Sequence, residues 1–275
     1  MLGLLGAAAM VVLTAVTRHR RFLAGAASWV VFTGVATFVP WLPISTGTPT
    51  DGVTVAVANV LTENPDPEAA AADILAVDAD VVVVPEARPR IHRILSAEYP
   101  FSDRDSRFGS WVGVYSRLPA TLLANLPEQL DLDGSRYSRV EIGGRRPFVL
   151  WALHLPRPWF TSEGTFQMRP RRHARMLDGV IEAMDTEELP VVAAGDLNLT
   201  DRGRGYRRMT RELDDAMRSI NGRRTSLKTP FRPLLLRIDH ILEPPDWCAD
   251  RARRFEITGS DHRGVTARIG PCLQT

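Results

Sequence analysis

The sequence predicts an α/β or α+β sandwich behind an apolar N-terminal segment, and three observations carry that prediction. From residue 53 onward, short β-rich runs alternate with helical stretches over about 220 residues, the pattern of a layered mixed domain. Residues 1–50 contain no Asp or Glu and only three Arg (Arg18, Arg20 and Arg21), whereas the rest of the chain carries 31 basic and 32 acidic residues. At 275 residues and 44% apolar content, with two cysteines, the chain can build a sizeable core. The same composition excludes a disordered chain, a collagen-like chain and a disulfide scaffold.

Residues 22–43 hold no charge. A helix of that length spans roughly 33 Å, enough for a hydrocarbon layer about 30 Å thick. Trp41 lies at its end, where interfacial aromatics collect. Residues 1–17 are also uncharged but would span only about 25 Å as a helix. The Arg18–His19–Arg20–Arg21 cluster separates the two segments and, by the positive-inside tendency, stays cytoplasmic. Residues 1–44 are therefore expected to be a membrane anchor of one or two transmembrane helices. The alternative is a cleaved signal peptide with the arginine cluster as its basic start. Either reading puts everything after about residue 45 outside the cytoplasm, at the cell membrane. Residues 45–52 are a short polar linker, and residues 53–275 form the folded domain.

Within that domain, residues 53–58 read as a strand ending at Asn59, and residues 67–77 as a helix. Residues 79–85 form an apolar strand that ends at Glu86. Residues 111–116 and 121–126 read as further strands. Residues 148–153 form a strand ending at His154, and residues 169–184 an amphipathic helix. The strand at 190–194 runs into Gly195–Asp196–Leu197–Asn198. Residues 237–242 and 265–269 supply the last strands, with Gly259–Ser260–Asp261–His262 just before the final one.

Candidate chemistry follows from position. Asn59, Glu86, His154, Asp196 and Asn198 each lie at or just after the C-terminal end of an expected strand, where α/β sheets gather ligand sites. Asp196 and Asn198, two apart in extended chain, point to one side. Taken singly, each has an ordinary reading as a turn residue, a solvated loop residue or a satisfied histidine. His240 follows Asp239 in a strand and should face the other way, as a structural residue. His92 and His173, on helical stretches, read as surface residues.

The order of these residues resembles the endonuclease/exonuclease/phosphatase superfamily, the DNase-I-like phosphoesterases. The resemblance spans about residues 53–269. It rests on Asn59, Glu86 in Val-Val-Val-Val-Pro-Glu-Ala, and His154 in Leu-His-Leu-Pro-Arg-Pro. It also rests on Gly195–Asp196–Leu197–Asn198, Arg237–Ile238–Asp239–His240–Ile241 and Gly259–Ser260–Asp261–His262. The resemblance implies a four-layer α/β/β/α sandwich of two packed mixed sheets. It implies Glu86 as principal ligand of Mg²⁺, with Mn²⁺ as a substitute, and Asn59 and Asp261 completing the metal region. His262, oriented by Asp239, would serve as base or as charged donor. Asp196 would position or deprotonate water, and Asn198 and His154 would hold phosphoryl oxygens.

Three features bear on the substrate. The domain lacks the basic excess of a tight duplex binder. Arginines crowd at Arg169, Arg171, Arg172 and Arg175, and again at Arg202, Arg204, Arg207, Arg208 and Arg211, where they read as solvated helix faces or phosphate forks. Residues 158–160 with Phe166, and residues 231–236, read either as core or as an apolar rim for a lipid tail. With the anchor, the chain is similar to membrane-bound actinobacterial phosphoesterases of the VanJ type, which implies undecaprenyl pyrophosphate as a lipid-linked substrate. A nuclease acting on nucleic acid and a non-catalytic lipid or phosphate binder are the alternatives. Nothing in the sequence points to a protein partner. Cys248 and Cys272 could pair in an oxidising exterior.

Overall fold

The computed structural model describes residues 20–38, 47–103, 112–123, 136–162, 165–168, 170–201, 203–219, 226–228 and 236–273. Contacts divide the chain into Met1–Ile44 and Ser45–Thr275. In the first unit the described part is helix α1 (Arg20–Phe38), 19 residues long, on which Trp29, Val30, Val31, Phe32 and Val35 are exposed. Two arginines open α1 and Ala, Gly, Ser and Thr interrupt its apolar residues. Among the described residues no helix is long and apolar enough to cross a membrane. The expected transmembrane helices over 1–44 are thus not found in α1; residues 1–19 and 39–46 lie outside the described residues.

The second unit is built on two six-stranded mixed sheets. The first contains β1 (Val53–Val57), β2 (Val81–Pro85), β3 (Phe101–Asp103), β4 (Val112–Ser116), β13 (Trp247–Glu256) and β14 (Arg263–Pro271), in the order β13-β14-β1-β2-β4-β3. The second contains β5 (Ala120–Leu122), β6 (Tyr137–Ile142), β7 (Phe148–His154), β10 (Val191–Asp196), β11 (Asp214–Asp215) and β12 (Asp239–Glu243), in the order β11-β12-β10-β7-β6-β5. A separate hairpin joins β8 (Trp159–Ser162) to β9 (Thr165–Met168). Among the described strands only β1–β2 and β7–β10 pair in parallel.

Alternation along the strands builds three apolar layers. Val55, Val57, Val83, Val114, Leu150, Val192, Ile241 and Val265 point between the sheets into the central core. The opposite face of the first sheet, with Ala56, Val82 and Val84, packs on helices α2 (Pro67–Leu75) and α3 (Pro89–Glu98) through Ile74, Ile91 and Leu95. The opposite face of the second, with Trp151, Leu153 and Ala193, packs on α4 (Pro170–Met184) and α5 (Arg204–Glu212) through Leu177, Val180 and Met209. The result is helix, sheet, sheet, helix. β2, covered on both faces, reads as the unbroken run Val-Val-Val-Val and is buried throughout, and each such side chain contributes about 1.5 kcal/mol or more by leaving water. Asp66 caps α2 by accepting the Ala69 N–H at 3.0 Å, with Pro67 in the first turn.

Expected strands recur with shifted ends, and some elements have no counterpart in the sequence reading. The expected strand at 121–126 is β5, Ala120–Leu122; residues 124–126 lie outside the described residues, as does Trp111. β13, ten residues including Asp250, Arg251, Arg253 and Arg254, shows no apolar run because it is an edge strand that turns charge to solvent. Cys248 at its start is bridged to Cys272 after β14, with Cα atoms 4.9 Å apart.

Candidate active site

Two parallel pairs bring the expected residues together. Asn59 and Glu86 follow β1 and β2 at the C-terminal edge of the first sheet. In the second sheet Asp196 on β10 is the register partner of His154 on β7 and of Asp239 on β12, so three candidate side chains lie in one row across adjacent strands. Asp261 and His262 sit just before β14. These groups surround a cleft of ≈ 580 Å³, lined by Glu86, His154, Asp196, Asn198, Asp261 and His262. Asn59 and Asp239 stand immediately behind that lining.

Glu86 has a left-handed backbone, φ 61°, a conformation that costs a non-glycine residue on the order of 1 kcal/mol or more and recurs at functional sites. Thr62 secures its side chain, donating both its N–H (2.7 Å) and its hydroxyl (2.5 Å) to Oε2. Burial works to raise the Glu86 carboxyl, but the Thr62 hydrogen bonds and His154 prevail and hold it below its ordinary value. Its Oε1 receives only a 3.3 Å contact from Asn59 Nδ2.

The Gly195–Asn198 turn depends on its glycine. Gly195 has φ +145°, and a Cβ there would lie 1.9 Å from the Leu153 carbonyl oxygen. Close pairing of β10 with β7 therefore needs the missing side chain. Asp196 Oδ1 accepts the Asn198 N–H and Oδ2 accepts Asn59 Nδ2, both at 3.0 Å. Complete burial and then the neighbouring Asp239 push the Asp196 carboxyl up to about 7. Asn198, itself at φ 48°, donates Nδ2 to Leu155 O at 2.9 Å, and its second amide hydrogen remains for the cleft it lines. His154 Nε2 lies 3.8 Å from Glu86 Oε1 and 3.9 Å from Asp196 Oδ2. Those distances look like ion pairs, yet burial pulls the imidazole down to about 4, so it is neutral at pH 7.

On the far side His262 Nδ1 donates to Asp239 Oδ2 at 2.8 Å. Burial opposes charge on this imidazole, but Asp239 and then Asp196 outweigh it and raise it to about 10. The pair is set by Ser226, a residue that belongs to no motif in the sequence. Its buried hydroxyl accepts the N–H of Ile238 and of Asp239, and its carbonyl accepts the N–H of Arg263. Behind Asp239, buried Arg237 forms a fork on Asp215 (3.0 and 2.5 Å) and fixes the entry to β12.

The donors suit a hard divalent ion. Glu86 is held ionised at the cleft it lines, Asp261 is exposed on the same cleft with Oδ1 3.9 Å from His262 Nε2, and Asp239 Oδ1 is buried without a partner among the described residues. Asp196, Asp239 and His262 also form a buried group whose ligand atoms lie within 4.8 Å of one another. Because His262 already donates to Asp239, we read that trio first as an oriented imidazole and Glu86 as the better ion ligand. Asn59 Oδ1 accepts the Leu61 N–H and its Nδ2 faces both carboxylates, so the amide orients Glu86 and Asp196.

Other expectations need revision. His173 is buried, with Nε2 3.0 Å from Leu197 O, and His92 is half-buried against Tyr115. The spacing of His173 to Met176, Leu177 and Val180 marks the inner face of α4 and was the available signal. His240 is buried on Leu199 O at 2.7 Å, facing away from the cleft as alternation predicts. Arg171, Arg172, Arg175, Arg204, Arg207, Arg208 and Arg211 are exposed on α4 and α5, and none lines the cleft. Arg169, Arg202 and residues 231–235 lie outside the described residues, as do the side chains of Trp159, Phe160 and Phe166.

Solved structures share the fold, and a family model matches most of the chain. Residues 56–262 match the Endonuclease/Exonuclease/phosphatase family. No curated protein matches the chain by sequence. Among solved structures, a humanized D. rerio TDP2 superposes with TM-score 0.60 at 17% identity, covering 80% of this chain and 100% of that one. The endonuclease/exonuclease/phosphatase from Bacteroides vulgatus gives 0.57 at 18%, covering 80% and 99%. That from Beutenbergia cavernae gives 0.55 at 20%, covering 80% and 72%. With the family match spanning the strands, the row and the cleft, the chain belongs to the endonuclease/exonuclease/phosphatase family of metal-dependent phosphoesterases.

Proposed function

We propose that the protein hydrolyses a lipid-linked pyrophosphate such as undecaprenyl pyrophosphate, held at the outer face of the cell membrane by its apolar N-terminal segment. The observation that carries the chemistry is the row His154–Asp196–Asp239, closed from the opposite sheet by Glu86 and His262. Glu86, with Asp261 on the same cleft, would hold Mg²⁺, or Mn²⁺ in its place. The ion, when bound, offsets negative charge on the phosphoryl oxygens. Asp196, near neutrality in its proton affinity, takes the proton of the attacking water. His262, charged and oriented by Asp239, donates from Nε2 to a phosphoryl oxygen, and Asn198 and neutral His154 support the same oxygens. Water oxygen bonds to phosphorus, the bond to the bridging oxygen breaks, and the leaving phosphate departs as an anion.

Support for the lipid side is less direct: half-buried Leu61 and Leu227 line the cleft, and α1 exposes a row of apolar side chains. The Cys248–Cys272 bridge suits an oxidising compartment. The test incubates detergent-solubilised full chain and Mg²⁺ with undecaprenyl pyrophosphate and, separately, with plasmid DNA. Phosphate release from the lipid is expected. DNA cleavage without phosphate release would move the assignment to a nuclease, and metal binding without turnover of either substrate would favour a binder.

A further inference from the structure

We propose that Arg157 is the specificity-determining residue that captures a second phosphoryl group adjacent to the scissile one. This rests on the phosphohydrolase reading of the cleft. Glu63, Glu86, Asp196 and Asp261 give the cleft wall a strongly acidic character. Against them stand two cationic side chains among the described lining residues, His262 and Arg157. His262 is committed to Asp239 at the cleft floor. Arg157 is exposed, and it makes no ion pair or hydrogen bond with any described residue. By contrast, the buried Arg237 forks onto Asp215 and Arg139 onto Glu187.

The backbone that carries Arg157 is also unusually well held for an exposed residue. Pro156 and Pro158 flank it and restrict its φ/ψ freedom. Leu155, two residues earlier, donates its N–H to Asp196 O at 3.0 Å, and its carbonyl accepts Asn198 Nδ2 at 2.9 Å. The Arg157 stem is therefore tied to the same turn that presents Asp196 and Asn198. A guanidinium carried on this backbone beside the Asp196–Asn198 turn, with no acceptor among the described residues, fits a bidentate anion. The scissile phosphoryl group is already served by His262, Asn198 and His154, which leaves the fork for the next one. A second phosphoryl group occurs in a lipid diphosphate and in a nucleic-acid strand alike.

Non-hydrolysable probes test the residue apart from turnover. Dissociation constants for methylenediphosphonate and methylphosphonate are measured calorimetrically, with Mg²⁺, on full-length wild type, Arg157→Ala and Arg157→Lys. Arg157→Ala is expected to weaken the diphosphonate about 10-fold more than the monophosphonate, the scale of one charge-assisted hydrogen-bonded contact. Arg157→Lys, keeping charge without the fork, should recover part of the difference. Equal weakening of both probes, or none, overturns the proposal. Two turnover pairs then separate the sources: geranylgeranyl diphosphate against its monophosphate, and pTpT against TpT. Selectivity for the diphosphonate together with turnover of only the nucleotide pair would reject the lipid substrate while keeping the role of Arg157.

Discussion

Replacing Gly195 with alanine tests the close approach of β10 to β7 on which the His154–Asp196–Asp239 row depends. The added Cβ would lie 1.9 Å from the Leu153 carbonyl oxygen, 2.8 Å from its carbon and 2.9 Å from its nitrogen, where ordinary contact begins at 3.4 Å. All three atoms are backbone of a central strand, so no side-chain rotation relieves the clash. The strands must part by more than about 1 Å, and the His154–Asp196 register lies one residue further on. Gly144 is the control: its φ is similar, +131°, but a Cβ there meets nothing within 4 Å. Gly144→Ala should cost only the conformational penalty, about 1–2 kcal/mol, and Gly195→Ala about 3–5 kcal/mol. With a urea slope of about 2 kcal/mol per molar, the midpoints should fall by less than about 1 M and by roughly 2 M. Phosphohydrolase activity should fall with Gly195→Ala even where the variant remains folded. Midpoints that shift equally in the two variants would refute the close-approach argument.

Three further outcomes are expected. Glu86→Gln keeps the side-chain shape but removes the charge, and should lower Mg²⁺-dependent kcat/KM on the order of 100-fold with an unchanged melting temperature; near-normal Mg²⁺ binding by calorimetry would dismiss Glu86 as the principal ligand. Glu243 is buried, neither carboxylate oxygen has a partner among the described residues, and burial pushes it from 4.5 to about 8. The folded state therefore holds the extra proton, so this contribution to stability is full below pH 4.5 and lost as pH rises through about 8. Glu243→Gln should flatten that decline, which amounts to a few kcal/mol, and denaturation midpoints from pH 4 to 9 that match wild type would contradict it. Cys248→Ser opens a 24-residue loop and should cost about 3 kcal/mol; identical denaturation of the variant and wild type, both unreduced, would show the crosslink is energetically idle.

Much of the site was legible in the linear chain because strand ends are local events. Asn59, Glu86, His154, Asp196 and Asn198 each announce themselves where an apolar run stops, and parallel pairing then collects such ends at one edge. Asp261 and His262 entered through their order in the motif series. Thr62 and Ser226 could not be read in this way. Each works through a hydroxyl and backbone groups that reach residues 12 to 24 positions away, and nothing in a threonine or serine marks such a partner. The burial of His173 was written in the helical period but hidden by the polarity of the residue itself.

The sequence alone determined the alternation of strands and helices, the apolar N-terminal segment and the set of reactive side chains, because these follow from local composition and periodicity. Tertiary structure decided strand order, the row of His154, Asp196 and Asp239, the pairing of Cys248 with Cys272 and the turning of Asn59 toward two carboxylates. It also decided protonation, since burial draws His154 down to about 4 while Asp239 lifts His262 to about 10. The physical reason is that proton affinity and hydrogen-bond direction depend on neighbours within a few ångströms, and those neighbours come from separate segments, 23 residues apart for His262 and Asp239 and 137 for Asn59 and Asp196.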